Sequence, residues 1–241
     1  MIERKIAQLS EEDRKLLVAA SVQGYEFDSA VAAQVLQLEP DEVEERLEKL
    51  EQVFAFVKLV SEAEFPNRAL TLKYRFVHLL YQNTLYGALR ATRRVSLSKA
   101  VAQTLLEFYG EAKLLIASEL ARLFETARDE GRAVEFYLLA AQQASAVVAY
   151  AESVVLAEHG LRLLQSLPDN PQRVKTELAL ELTRGMALSF TRSCRKRPLG
   201  LCTLPAALGW RSSRPASKPR GRSKNSAASD SEKPASCVAS K

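Results

Sequence analysis

The chain has 241 residues, 47% of them hydrophobic and 26% charged, an ordinary globular balance that excludes a wholly disordered protein. Its net charge of +5 sums two unlike segments: residues 191–241 hold 12 Lys and Arg against 2 Asp and Glu, and the preceding 190 hold 22 against 27. The longest apolar stretches, Leu16–Ala20 and Ala144–Ala151, fall far short of the roughly 20 residues that span a bilayer; with no signal-peptide core at the N-terminus, the expectation is a cytoplasmic protein without membrane contact.

Ser10-Glu11-Glu12-Asp13 is a capping box, in which the Ser10 hydroxyl accepts from the Asp13 backbone N–H and the acidic side chain answers back. It predicts a helix from about residue 11 to Gly24, carrying Leu16, Leu17 and Ala20. A second helix from Asp28 carries Val31, Ala32, Val35 and Leu36 at helical spacing. Pro40, favoured at a first helical position, opens a third with Val43, Leu47 and Leu50 at i, i+4 and i+7. Residues 53–60 and 69–76 are rich in β-branched and aromatic side chains and flank Pro66-Asn67-Arg68, the pattern of a β-hairpin. Three helices followed by a two-stranded wing is the order of a winged helix-turn-helix, assigned to residues 1–90.

From Val77 onward the pattern is helical, with Leu80, Leu85, Tyr86 and Leu89 on one stretch and Leu97, Val101, Leu105 and Phe108 on the next. Further helices are predicted over 113–128, 131–148, 150–166 and 171–189. Small residues (Ala133, Ala140, Ala141, Ala144, Ala151, Ala157, Gly160) recur where antiparallel hairpins of the TPR type need close approach, which assigns residues 91–190 to TPR-like helical repeats. Leu105, Phe108, Leu120, Phe124, Tyr137 and Leu161 are the expected core, and Leu178, Leu182 and Met186 an uncovered apolar end. Residues 191–241 read as a basic, Ser/Pro/Arg-rich disordered tail. The fold class is thus mostly all-α: a winged helix-turn-helix with a small β-hairpin wing, then TPR-like antiparallel hairpins, then the tail.

Catalytic signatures do not emerge. The nine glycines are scattered and no phosphate-binding Gly-x-x-x-x-Gly-Lys-Ser/Thr occurs. His78 and His159 are the only histidines, and Cys194, Cys202 and Cys237 all lie in the tail at irregular spacing, which argues against a triad, a zinc site or a disulfide framework. Residues 40–52 hold six carboxylates against Arg46 and Lys49. A duplex carries about one negative charge per 1.7 Å of axis, so this third helix is repelled from the major groove.

Four strings carry a family resemblance: Ile2-Glu3-Arg4, Leu9-Ser10-Glu11-Glu12, Leu17-Val18-Ala19-Ala20-Ser21-Val22-Gln23-Gly24-Tyr25-Glu26-Phe27 and Tyr74-Arg75-Phe76-Val77-His78-Leu79-Leu80-Tyr81-Gln82. Over about residues 1–190 the chain resembles the region that follows the ATPase core in bacterial signal-transduction NTPases of the STAND class, including those fused to cyclases, kinases or transcription-regulator domains. The resemblance implies a non-catalytic regulatory fragment, with a winged helix that senses the nucleotide state and TPR-like helices that bind a protein partner. No cofactor is expected in this chain itself; ATP or ADP is implied for the ATPase core, which lies outside it. His78 looks like the Met-His-Asp histidine of such winged helices, implied to contact the β-phosphate of ADP, although Val77 replaces Met and Leu79 replaces Asp. Ser98 stands where the family often has histidine. The family continues into further repeats beyond Arg184–Leu188, whereas this chain turns basic near 190–195; a reading-frame change or a genuine basic linker would each produce that switch. Two other readings stand beside this one: a nucleic-acid-binding protein acting through the tail by weak, non-specific polyanion contact, and a gene remnant.

Overall fold

In the computed structural model, which describes residues 2–195 and the side chains of 4–191, Ser10 caps as its motif predicts, its hydroxyl accepting from the Asp13 N–H at 3.0 Å. The helix it opens is α2 (Glu11–Gln23), preceded by a short α1 (Ile2–Ala7) that no sequence signal announced. Then come β1 (Glu26–Asp28), α3 (Ser29–Leu36), α4 (Pro40–Gln52), β2 (Val57–Glu64) and β3 (Leu70–Phe76). The fold is mostly helical with one small antiparallel sheet in the order β1-β3-β2.

That sheet has three strands, where a two-stranded hairpin was expected. The extra strand is held by Gln23, whose side chain accepts from the Asp28 N–H at 2.9 Å and donates to the Asp28 carbonyl at 3.3 Å, so residues 26–28 stay extended and pair with 73–75. Residues 53–56, expected as strand, instead terminate α4: the N–H groups of Val53, Ala55 and Phe56 donate back to Lys49, Glu51 and Leu50. The turn drives Phe56 into the core against Tyr81, ring centroids 4.7 Å apart, which explains an aromatic residue outside any strand.

After the sheet the chain is helical: α5 (Leu79–Gly87), α6 (Ala91–Tyr109), a 3-10 helix over Gly110–Ile116, α7 (Ala117–Thr126), α8 (Glu130–Ala146), α9 (Tyr150–Leu164) and α10 (Pro171–Arg195). The 3-10 helix replaces the start of the helix predicted from 113, because Gly110 at φ 48° ends α6 and tightens the next turn. Of the expected core, Leu105, Phe108, Leu120, Phe124 and Tyr137 are buried. Leu161 is half-buried: the inward face of α9 runs Ser153, Ala157, Gly160, Leu164, and Leu164 takes the core position. Ala151 is likewise exposed. A Cβ on Gly160 would sit 3.1 Å from the Leu180 methyls and 3.3 Å from Tyr137 Cβ, so this glycine sets how closely α8, α9 and α10 approach.

One apolar cluster crosses residues 90 and 91, joining Val22, Val31 and Phe65 to Leu89, Val101, Leu105, Phe108 and Phe124. At the other end α10 buries Leu180, Thr183 and Ala187 but exposes Val174, Leu178, Leu182, Met186 and Phe190 at intervals of four. α10 runs to Arg195, past the point where the tail was expected to begin; from 196 the expected disordered tail lies outside the described residues. Burying a leucine is worth about 1.5–3 kcal/mol, so sedimentation should show concentration-dependent association weakened roughly tenfold or more by Leu182→Glu. Strictly monomeric behaviour at high concentration would refute a sticky α10 face.

Candidate functional site

A cleft of about 670 Å³ opens between the Gln23–Glu26 corner and helices α7, α8 and α9, within the range of small-ligand and peptide sites. The corner turns at Gly24, whose φ of 141° is a conformation side chains disfavour. Opposite it, α7 contributes Glu119, Arg122 and Glu125, α8 Tyr137, and α9 Glu152, Leu156 and His159.

These groups are organised around Glu125. The Tyr137 hydroxyl donates to Glu125 Oε2 at 2.5 Å, and Arg162 Nη2 approaches Glu125 Oε1 at 3.8 Å. The same Arg162 nitrogen lies 2.7 Å from His159 Nδ1. Guanidinium only donates, so Nδ1 is the accepting atom of this bond. The imidazole stacks on the Tyr137 ring at 5.7 Å and 17°, closing a loop of four side chains. Burial, then the bond to Glu125, pushes the Tyr137 hydroxyl well above its ordinary range, so it stays a donor. Glu26, Glu119, Glu125 and Glu152 line the cleft with Arg122, and Arg162 approaches Glu125 from beside it, so carboxylates outnumber guanidinium groups. The cleft therefore favours a cationic or hydrogen-bond-donating ligand.

One carboxyl beside the cleft, Asp28, and one in its lining, Glu119, are shifted by burial. Burial pushes Asp28 up, opposed by Lys73 at 3.8 Å and reinforced by Glu26. Burial also pushes Glu119 up, opposed by Arg122 and reinforced by Asp28. Among the described residues no group of three His, Cys, Asp or Glu side chains could hold a metal ion.

His78, the one sequence-derived site residue, lies elsewhere. It is the N-cap residue of α5, at φ −132° and ψ 134°, with no capping bond from its side chain. Its ring is exposed, 5.6 Å from that of Tyr81, and Val77, Leu79 and Leu80 around it are 37%, 55% and 59% exposed. Ser98 is buried with its hydroxyl unpartnered. The cleft is not legible in the sequence: Tyr137 is a core residue that also lines it, and no local spacing joins residues 23–26 to 119–159. Compared with protein-family models, curated proteins and solved structures, the chain matches none.

A carboxyl raised by burial stabilises the folded state fully only below its unfolded pKa, and that contribution is lost as pH rises through the folded value. Ionised Glu119 is thus a cost at pH 7 that Glu119→Gln removes. Urea titrations should show the variant more stable than the parent at pH 7, by on the order of 1 kcal/mol, with the gap closing near pH 4. A gap of equal size at both pH values would show that Glu119 acts through shape alone.

Proposed function

We propose that this chain is a non-catalytic regulatory and protein-interaction module of a STAND-type signalling ATPase. On this reading α1–α5 with the sheet form the winged helix that reports the nucleotide state, and α6–α10 are TPR-like hairpins that receive a partner. The observation that carries the proposal is the surface at the β3–α5 junction. There the exposed His78 ring stands at the start of a helix whose first N–H groups have no side-chain cap, framed by exposed Val77, Leu79 and Leu80. Free N–H groups at a helix N-terminus attract an anion, and an apolar collar around them suits closure against a neighbouring domain rather than contact with water.

The mechanism is a shift between two states. Docking of the collar against a nucleotide-loaded domain brings His78 to the diphosphate and favours the closed form. A partner seated in the Tyr137–His159 cleft favours the open one if it binds that form better, since only differential affinity moves an equilibrium. The cleft suits this role because its walls come from both halves of the chain.

The test joins residues 1–195 to a STAND ATPase core and follows release of a fluorescent ADP. His78→Ala should speed release about tenfold, the loss of one charge-assisted hydrogen bond of roughly 1.5 kcal/mol. An unchanged rate in a folded variant would leave His78 a surface residue and remove the proposal's support.

A further inference from the structure

α4 exposes a strongly acidic face. Asp41, Glu44, Glu45, Glu48, Glu51 and Gln52 fall at i, i+3, i+4, i+7, i+10 and i+11, one side of a helix, while Val43, Leu47 and Leu50 are buried on the other. The acidic side forms the wall of an open groove of about 620 Å³ floored by Leu59 of β2 and by Leu72 and Tyr74 of β3. Leu59 is paired with Tyr74 across the ladder, and Leu72 lies two residues from Tyr74, so all three share one face of the sheet. The groove has no Lys or Arg in its lining. Arg46 is turned the other way, held by Glu12 at 2.6 Å and Glu42 at 2.8 Å. Like charges at these helical spacings repel, a cost that a cation brought to this wall would relieve.

Tyr74 supplies a second observation, at the groove floor. It is 3% exposed, yet its hydroxyl takes no hydrogen-bond partner among the described residues and lines the groove beside Glu44, Glu48 and Glu51. Burial, then those three charges, push it up to about 12. A neutral phenol hydroxyl reaching the groove has lone pairs open to an N–H arriving there.

The spacing of the wall selects the ligand's shape. The carboxylates extend over about 15 Å of helix, at 1.5 Å per residue, too far for a single divalent ion to gather at bonds of about 2.5 Å. Successive wall positions rise by about 4.5–6 Å, short of the roughly 6.6 Å between alternate side chains of an extended chain by an amount that long Lys or Arg stems take up. β2, which brings Leu59 to the floor, is an outer strand of the sheet, and extended segments recognise such edges. We propose that the groove between α4 and the sheet docks an extended segment of a partner protein carrying Lys or Arg at alternate positions. Its aliphatic stems lie on Leu59 and Leu72 while the charged heads meet the α4 carboxylates. This surface is separate from both His78 and the Tyr137–His159 cleft, and the proposal stands without the STAND reading.

The probe is a fluorescein-labelled octapeptide of alternating arginine and serine, titrated onto the full chain by fluorescence polarisation. A block peptide of four arginines then four serines serves for comparison. The alternating peptide should bind at least fivefold more tightly than the block peptide. Glu44→Lys with Glu48→Lys should weaken it at least tenfold, and Tyr74→Phe, which keeps the buried ring, about threefold. The charge-matched pair Glu111→Lys with Glu158→Lys, on exposed positions elsewhere, should leave affinity unchanged. On the unmutated chain, where no variant can misfold, amide shifts on adding peptide should centre on Leu59, Leu72 and Tyr74. Equal loss in both charge-reversed pairs, equal affinity for the two peptides, shifts centred on the Tyr137–His159 cleft, or duplex DNA competing for the groove would each overturn the proposal.

Discussion

Phe65 lies flat on Phe108, ring centroids 4.5 Å apart and planes 8° from parallel, and the arrangement of both halves depends on this contact. Phe65 sits at the tip of the β2–β3 hairpin, where its N–H donates to the Ala69 carbonyl at 2.9 Å and its carbonyl accepts from Arg68 at 2.8 Å. The hairpin tip therefore has a fixed shape when it meets α6. Tyr109 adds an edge-on contact at 5.5 Å. Together with Val22 and Val31, this seam carries the apolar core from the sheet into the helices, and so holds the Gln23–Glu26 corner opposite α7–α9 to form the cleft.

The same seam accounts for the shifted carboxyls. Closing it buries Asp28 and partly desolvates Glu119, with Lys73 and Arg122 as partial compensation. Desolvating a charge is costly even when it is paired, and here the cost is tolerated where the two halves meet. Elsewhere acidity is kept at the surface: α4 presents its carboxylates outward. The described part of the chain thus offers two separate acidic concavities, one between the Gln23–Glu26 corner and α7–α9 and one between α4 and the sheet.

How much of this was legible in the sequence depended on the range of the cause. Ser10 and Pro40 act on residues three or four positions away, and the ends they mark were read correctly. The stripes of α6–α10 follow a 3.6 period whatever they pack against, which is why Leu105, Phe108, Leu120 and Phe124 could be named as core. β1 was not readable, because a three-residue strand is fixed by a glutamine side chain and by residues 73–75 far along the chain. Val53–Phe56 misled because aromatic residues suit a strand and a buried turn equally well. The acidic face of α4 was visible as a charge count that set this helix against the major groove. Its meaning as one wall of a groove required Leu59, Leu72 and Tyr74 to arrive from the sheet. The four-residue loop around Glu125 spans α7 to α9, and no short motif encodes it.

The seam's role is open to one direct measurement. Native-state hydrogen exchange in rising urea can follow Leu47, in the core of the sheet-bearing half, and Leu120, in the helical array, both fully buried. If the Phe65–Phe108 seam makes the described chain one cooperative unit, the two amides should converge on a common opening free energy, and Phe65→Ala should lower both together by about 3 kcal/mol. Convergence on two different energies, with Phe65→Ala lowering only that of Leu47, would show that the halves fold independently and that the cleft between them is not a built site.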